Sequence, residues 1–142
     1  MLDAWRNDMG YRSRGKWIIK GPADAMTAAW AELRLNPPAF KQPPNISIPP
    51  PSFDDFDFYV VGDTGYIRFE FEDWKWYPDY SDVKWFESVW TRLSENEHLS
   101  GHRIHVGEDN AIEEDWFGNG VVYINAYVII EDAEPQPPTA TE

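Results

Sequence analysis

One stretch of sequence decides the fold: it reads FDFYVVGDTGYIRFEFEDWKW over residues 56–76. Two runs of β-branched and aromatic residues flank residues 62–65, Gly-Asp-Thr-Gly, and this pattern predicts a β-hairpin with a four-residue loop. On the second strand Ile67, Phe69 and Phe71 share one face, while charged residues share the other. We therefore expect a sheet with one face on a core and the other toward water.

The alternation breaks at the end of this stretch. Asp73 falls on the apolar side, whereas Trp74 and Trp76 fall on the polar side. A β-bulge at Glu72-Asp73 would return both indoles to the core side, and we favour this interpretation. The alternative leaves two tryptophans facing outward among carboxylates.

Two amphipathic helices are predicted, one on each side of the hairpin in the chain. The first covers residues 23–35, follows a short strand at residues 15–20, and begins after Pro22, a residue tolerated in a first helical turn. The second begins near Ser81 and ends near residue 95. Their apolar stripes, at helical spacing, are Met26, Ala29, Trp30 and Leu33 in the first, and Val83, Phe86, Val89, Trp90 and Leu93 in the second.

The remaining segments complete a fold prediction. Residues 37–51 hold seven prolines and predict an extended polyproline arm. We interpret it as a stiff connector that lays Phe40, Ile46 and Ile48 across the body of the protein, and the alternative is a docking arm. Short strands are predicted at residues 102–106 and 121–130. We expect an α+β fold: an antiparallel β-sheet with two α-helices packed on one face, in a single domain over residues 1–132, and a flexible acidic, proline-rich tail at residues 133–142.

Charge is distributed unevenly. The chain carries 25 acids and 12 bases in 142 residues, a net charge of −13. The first 20 residues carry a net charge of +3, and the next 33 hold equal numbers of acids and bases. Residues 54–142 hold 21 acids and five bases, a net charge of −16. Such a charge opposes direct binding to nucleic acid or to an anionic membrane. No signal peptide or membrane-spanning segment is visible, so we expect a cytoplasmic protein.

No motif predicts an enzyme, a metal site or a cofactor. Residues 10–16 begin like a phosphate-binding loop, but Trp17 stands where Ser or Thr would hold magnesium, so a basic turn is expected. His102 and His105 would point to opposite faces of a strand, and solvent-facing histidines, His98 included, are expected. Glu70 and Glu72 could form a carboxylate pair, but a chain of this length offers little room for a sugar cleft. The absence of cysteine excludes disulfides and thiolate chemistry.

The clustered acids carry the functional hypothesis. We expect a small inhibitor or binding protein that engages a basic, nucleic-acid-handling protein, as nucleic-acid mimics of the anti-CRISPR, anti-restriction or toxin-immunity type do. The alternatives are an aromatic-faced ligand- or carbohydrate-binding module, and a structural subunit of a larger, virion-like assembly. The expected partner-binding residues are Asp54, Asp55, Asp57, Glu70, Glu72, Asp73, Trp74, Trp76, Glu108, Asp109, Glu113, Glu114 and Asp115.

Overall fold

The computed structural model describes residues 12–109, 111–120, 122 and 124. Five strands and two α-helices make up the described fold. Their bounds, in chain order, are β1 (Ser13–Pro22), α1 (Ala23–Leu35), β2 (Phe56–Val61), β3 (Thr64–Trp74), α2 (Ser81–Ser94), β4 (Ser100–Gly107) and β5 (Ile112–Phe117), with a short 3₁₀ turn at Phe53–Asp55 before β2.

The strands form one antiparallel sheet in the order β2-β3-β1-β4-β5. Trp17 of β1 lies opposite Phe69 of β3, which lies opposite Phe56 of β2. These three side chains therefore share one face of the sheet. Both helices pack on that face, since Trp30 of α1 contacts Phe56, and Phe86 of α2 stacks on Phe69 with ring centroids 4.8 Å apart. The α+β prediction is confirmed.

The core is built mainly from aromatic rings. The apolar stripes predicted for the helices are buried, apart from half-buried Ala29, and Trp85 joins the stripe of α2. The Trp85 indole N–H donates to the carbonyl of Pro38, which ties the proline-rich arm to α2. Phe40 packs on the core as predicted, whereas the prediction for Ile46 is wrong because its side chain is exposed.

The bulge at the end of β3 is confirmed. The pairing of β1 with β3 shifts between Gly15, which lies opposite Phe71, and Ser13, which lies opposite Trp74. Asp73 adopts a φ of 55°, a left-handed conformation that turns Trp74 back toward Phe71. The hairpin itself is tighter than predicted, because Thr64 and Gly65 belong to β3 and only Gly62 and Asp63 form the turn.

One strand was not predicted: β5 lies between the strands predicted at residues 102–106 and 121–130. It pairs with β4 from Gly101 opposite Phe117 to Val106 opposite Ile112. The strand predicted at residues 121–130 lies outside the described residues except for Val122 and Ile124, both buried. The predicted tail lies wholly outside them. Neither helix in the described ranges has the length and apolar character required to cross a membrane.

Candidate functional site

The helix-facing side of β4 and β5 is polar from Arg103 to His105 and from Glu113 to Asp115, unlike the rest of that sheet face. Arg103 lies opposite Trp17 on one side and opposite Asp115 on the other, and His105 lies opposite Glu113. Polar side chains thus continue a sheet face that is aromatic on β1, β2 and β3. This change of character marks the region as the candidate site.

Arg103 is the organising residue of this region, and its side chain is 15% exposed. One guanidinium nitrogen, Nη2, lies 2.9 Å from Glu87 of α2 and 3.7 Å from Asp115 of β5. The guanidinium also lies over the rings of Trp90 and Trp17, at 4.5 Å and 5.2 Å from their centroids. Its Nη1 is buried with no acceptor among the described residues, and the negative faces of the two indoles supply the favourable electrostatics there.

His105 is buried beside Arg103, with 9% of its surface exposed. Its Nε2 accepts a hydrogen bond of 2.9 Å from the indole N–H of Trp17, so the neutral ring carries its proton on Nδ1. Burial and the Arg103 charge lower the pKa of His105 to about 3. The ring is therefore a neutral donor throughout the physiological pH range.

A cavity of about 790 Å³ opens over these groups, between α2 and the β4–β5 hairpin. That volume falls within the range of small-ligand sites. The indole N–H of Trp76 donates to Glu87 at the cavity wall. The lining residues are Trp76, Pro78, Val83, Lys84, Glu87, Ser88, Arg103, His105, Glu113, Glu114 and Asp115.

His102 occupies the opposite face of β4 and is completely buried. Its ring stacks on Trp116 with centroids 4.3 Å apart, and its Nε2 lies 3.3 Å from Glu114. The N–H of Ile124 donates to Nδ1, and burial lowers the pKa of His102. The expectation of solvent-facing histidines is right for His98, whose side chain is exposed. It is wrong for His102 and His105, because hydrogen-bond partners from β1, β5 and residue 124 make their burial tolerable.

Five of the expected partner-binding acids lie on the β4–β5 hairpin: Glu108, Asp109, Glu113, Glu114 and Asp115. Glu108 and Asp109 lie at the exposed turn. Glu113 and Asp115 face the helix side, whereas Glu114 faces the other side, toward His102. Trp116 is 54% exposed on the same face as Glu114, and Ile112 is also exposed there. Sequence reasoning missed this exposed tryptophan, although its position among five acids was visible.

The other expected partner-binding acids lie elsewhere: Asp54, Asp55, Asp57, Glu70, Glu72 and Asp73. Asp57 lies on β2, the opposite edge of the sheet, about 19 Å from β5 at four inter-strand spacings of roughly 4.8 Å. Ion pairs within the chain engage three of these acids: Asp57 with Arg68, Glu70 with Lys16, and Asp73 with Arg12. Asp54, Asp55 and Glu72 are exposed as well, and the pKa of Asp55 is raised by burial and by the neighbouring Asp54 charge.

Trp74 and Trp76 do not form an open aromatic platform. Both are half-buried against the core, and Trp76 stacks on Phe71 with centroids 4.4 Å apart. The indole N–H of Trp74 donates to Asp82, and that of Trp76 donates to Glu87. Their polar edges are thus engaged within the protein, although Trp76 still borders the cavity.

Two other sequence features are placed by the structure. Residues 13–16 lie inside the central strand β1, so the strand predicted at residues 15–20 is confirmed and the basic turn expected over residues 10–16 is wrong for its last four residues. A strand interior has no loop to surround a phosphate. Gly10 and Tyr11 lie outside the described residues. Within residues 12–109, 111–120, 122 and 124, no group of three or more His, Asp or Glu side chains is placed to hold a metal ion.

No protein family model, no curated protein and no solved structure matches this chain.

Proposed function

We propose that this protein binds the basic surface of a nucleic-acid-handling protein, and that the β4–β5 hairpin is its contact surface. One observation carries the proposal. An exposed tryptophan, Trp116, lies on a hairpin that carries five carboxylates: Glu114 on the face of Trp116, Glu113 and Asp115 on the other face, and Glu108 and Asp109 at the turn.

This arrangement resembles the anatomy of a protein interface. Energetically important contacts concentrate on a few aromatic anchors, and polar residues surround them. Trp116 is rigid before binding because it stacks on the buried ring of His102, so little side-chain entropy is lost when a partner covers it. Ile112, exposed on the same side of β5, extends the apolar centre.

The hairpin acids favour a cationic partner. Glu108 and Asp109 stand at the turn, where a partner meets them first, and they would steer a basic surface toward Trp116. Large basic surfaces are typical of proteins that bind phosphate backbones, which is why we name that class. Asp57 and Glu70 lie on β2 and β3, toward the opposite edge of the sheet, so we place them outside the contact.

The test is capture of partners from the native host at about 50 mM and about 500 mM salt. The hairpin variant combines Glu108→Gln, Asp109→Asn and Glu113→Gln. The control variant combines Asp54→Asn, Asp55→Asn and Glu72→Gln, which changes the net charge equally at exposed positions outside the hairpin. We expect the wild type and the control to retain a salt-sensitive partner that the hairpin variant loses by about tenfold or more.

A second variant, Trp116→Ala, tests the contribution of the aromatic side chain separately from that of the hairpin carboxylates. We expect it to weaken capture by about tenfold while the salt dependence persists. Duplex DNA added to the lysate should compete for the same partner if the partner surface binds phosphates. Equal loss in the hairpin and control variants, or capture unaffected by salt, would contradict the proposal.

A further inference from the structure

We infer that the cavity between α2 and the β4–β5 hairpin receives a single basic side chain, arginine or lysine, from an extended segment of the partner polypeptide. This inference rests on the proposed function and names the group that the partner inserts. It concerns a site distinct from the Trp116 surface, because Trp116 lies on the other face of β5.

Four carboxylates and two cations, those of Lys84 and Arg103, line the cavity, so negative charge outweighs positive charge at its wall. Glu87 and Asp115 lie against the guanidinium of Arg103. Glu113 has no cationic partner among the described residues, and it stands opposite His105 at the cavity wall. A cation that enters here meets a carboxylate in a concave site, where partial exclusion of water strengthens the attraction relative to an open surface.

The floor of the cavity offers a hydrogen-bond donor. The Nε2 of His105 is engaged by Trp17, and the Cδ2 edge of the ring lies toward Gly15 of β1. The Nδ1 edge is thereby turned away from β1, and Nδ1–H has no acceptor among the residues that the structure describes. Because His105 lines the cavity, an unpaired ring N–H there favours a ligand with a carbonyl or another oxygen acceptor.

A basic residue within a polypeptide supplies both groups. Its ammonium or guanidinium would meet Glu113, and a neighbouring peptide carbonyl would accept from His105 Nδ1. The half-buried indole of Trp76 borders the same space and offers an aromatic surface to the aliphatic part of such a side chain. His105 stays neutral, so it adds no competing positive charge.

The probe is N-acetyl-L-arginine amide, with the neutral N-acetyl-L-citrulline amide of nearly the same shape as its control. Binding is followed by the indole N–H resonance of Trp76 in two-dimensional NMR of the full chain. We expect a dissociation constant of about millimolar for the arginine compound, the range typical of ligands of this size, and at least about tenfold weaker binding of the citrulline compound.

Charge reversal locates the site. Glu113→Lys should weaken the arginine probe by at least about tenfold, whereas Glu108→Lys, an equal charge change at the exposed hairpin turn, should alter binding by about twofold at most. The remaining amide resonances report whether each variant keeps the fold. Equal effects of the two reversals, equal binding of the citrulline compound, or a preference for a neutral disaccharide over the arginine compound would each overturn the inference.

The two proposals fail separately. If the arginine probe does not bind but capture of the partner still depends on the hairpin acids, only the cavity inference is wrong. If the probe binds at Glu113 but no partner depends on the hairpin, the proposed function is wrong and the cavity site stands alone.

Discussion

Acidification is expected to destabilise this protein through His105. Burial and the Arg103 charge lower the pKa of His105 from 6.5 to about 3 in the folded state. In the unfolded chain the same ring takes up a proton as the pH falls through 6.5. Between these two values the unfolded state binds more protons than the folded state, so the free energy of unfolding decreases as the pH falls.

The magnitude follows from the two pKa values. Each pH unit between them costs about 1.4 kcal/mol, and the change from pH 7 to pH 5 crosses about one and a half such units. His105 should therefore reduce the free energy of unfolding by about 2 kcal/mol over this change. Full stability is present above pH 6.5 and is lost progressively toward pH 3.

The assay is urea denaturation at pH 7 and pH 5, followed by tryptophan fluorescence, for the wild type and His105→Gln. Glutamine cannot titrate, and its carbonyl can still accept from the Trp17 indole. The loss between the two pH values should be about 2 kcal/mol smaller in the variant, while the contributions of His102 and the carboxylates are common to both proteins. Losses that agree within about 0.5 kcal/mol would refute the assignment of His105 as a buried neutral base.

Three stability predictions follow from the packing. Arg103→Met should lower the free energy of unfolding by about 1–3 kcal/mol in urea denaturation, with the exposed Arg34→Met as a near-neutral control, because two carboxylates lose their cation. Gly65→Ala should cost about 1–3 kcal/mol by thermal denaturation, since an added Cβ would lie 2.6 Å from Met26 Cβ. Asp73→Ala should cost about 1 kcal/mol while Asp73→Gly costs less, and equal losses would argue against a left-handed bulge residue.

Much of the fold could be predicted because its local patterns coincide with its packing. The stripe from Val83 to Leu93 repeats at helical spacing and is buried at the predicted positions. The alternation of Ile67, Phe69 and Phe71 matches their burial in β3, and its failure at Asp73 marks the bulge. In both elements one face is completely covered, so burial imposes a strict period on the residue types.

The strand β5 and the cavity could not be predicted in the same way. Ile112, Glu113, Glu114, Asp115 and Trp116 are all exposed in an edge strand, so burial imposes no hydrophobic alternation on them. Glu87 lies outside the apolar stripe predicted for its helix. The structure instead sets this side chain against Arg103, because α2 lies along β4 at the point where the sheet face becomes polar.

The site itself depends on contacts between distant parts of the chain. Sequence patterns are local, and they indicate which way a side chain points from its own helix or strand. They do not indicate which residue of another element stands opposite, because that depends on strand order and register. His105 meets Trp17 from 88 positions away, and Trp90 meets Asp115 from 25 positions away. The sequence alone therefore predicted the acidity, the helices and the β2–β3 hairpin. The pairing of β4 with β1 and β5 decided the rest: the burial of two histidines, the Arg103 cluster and the exposure of Trp116.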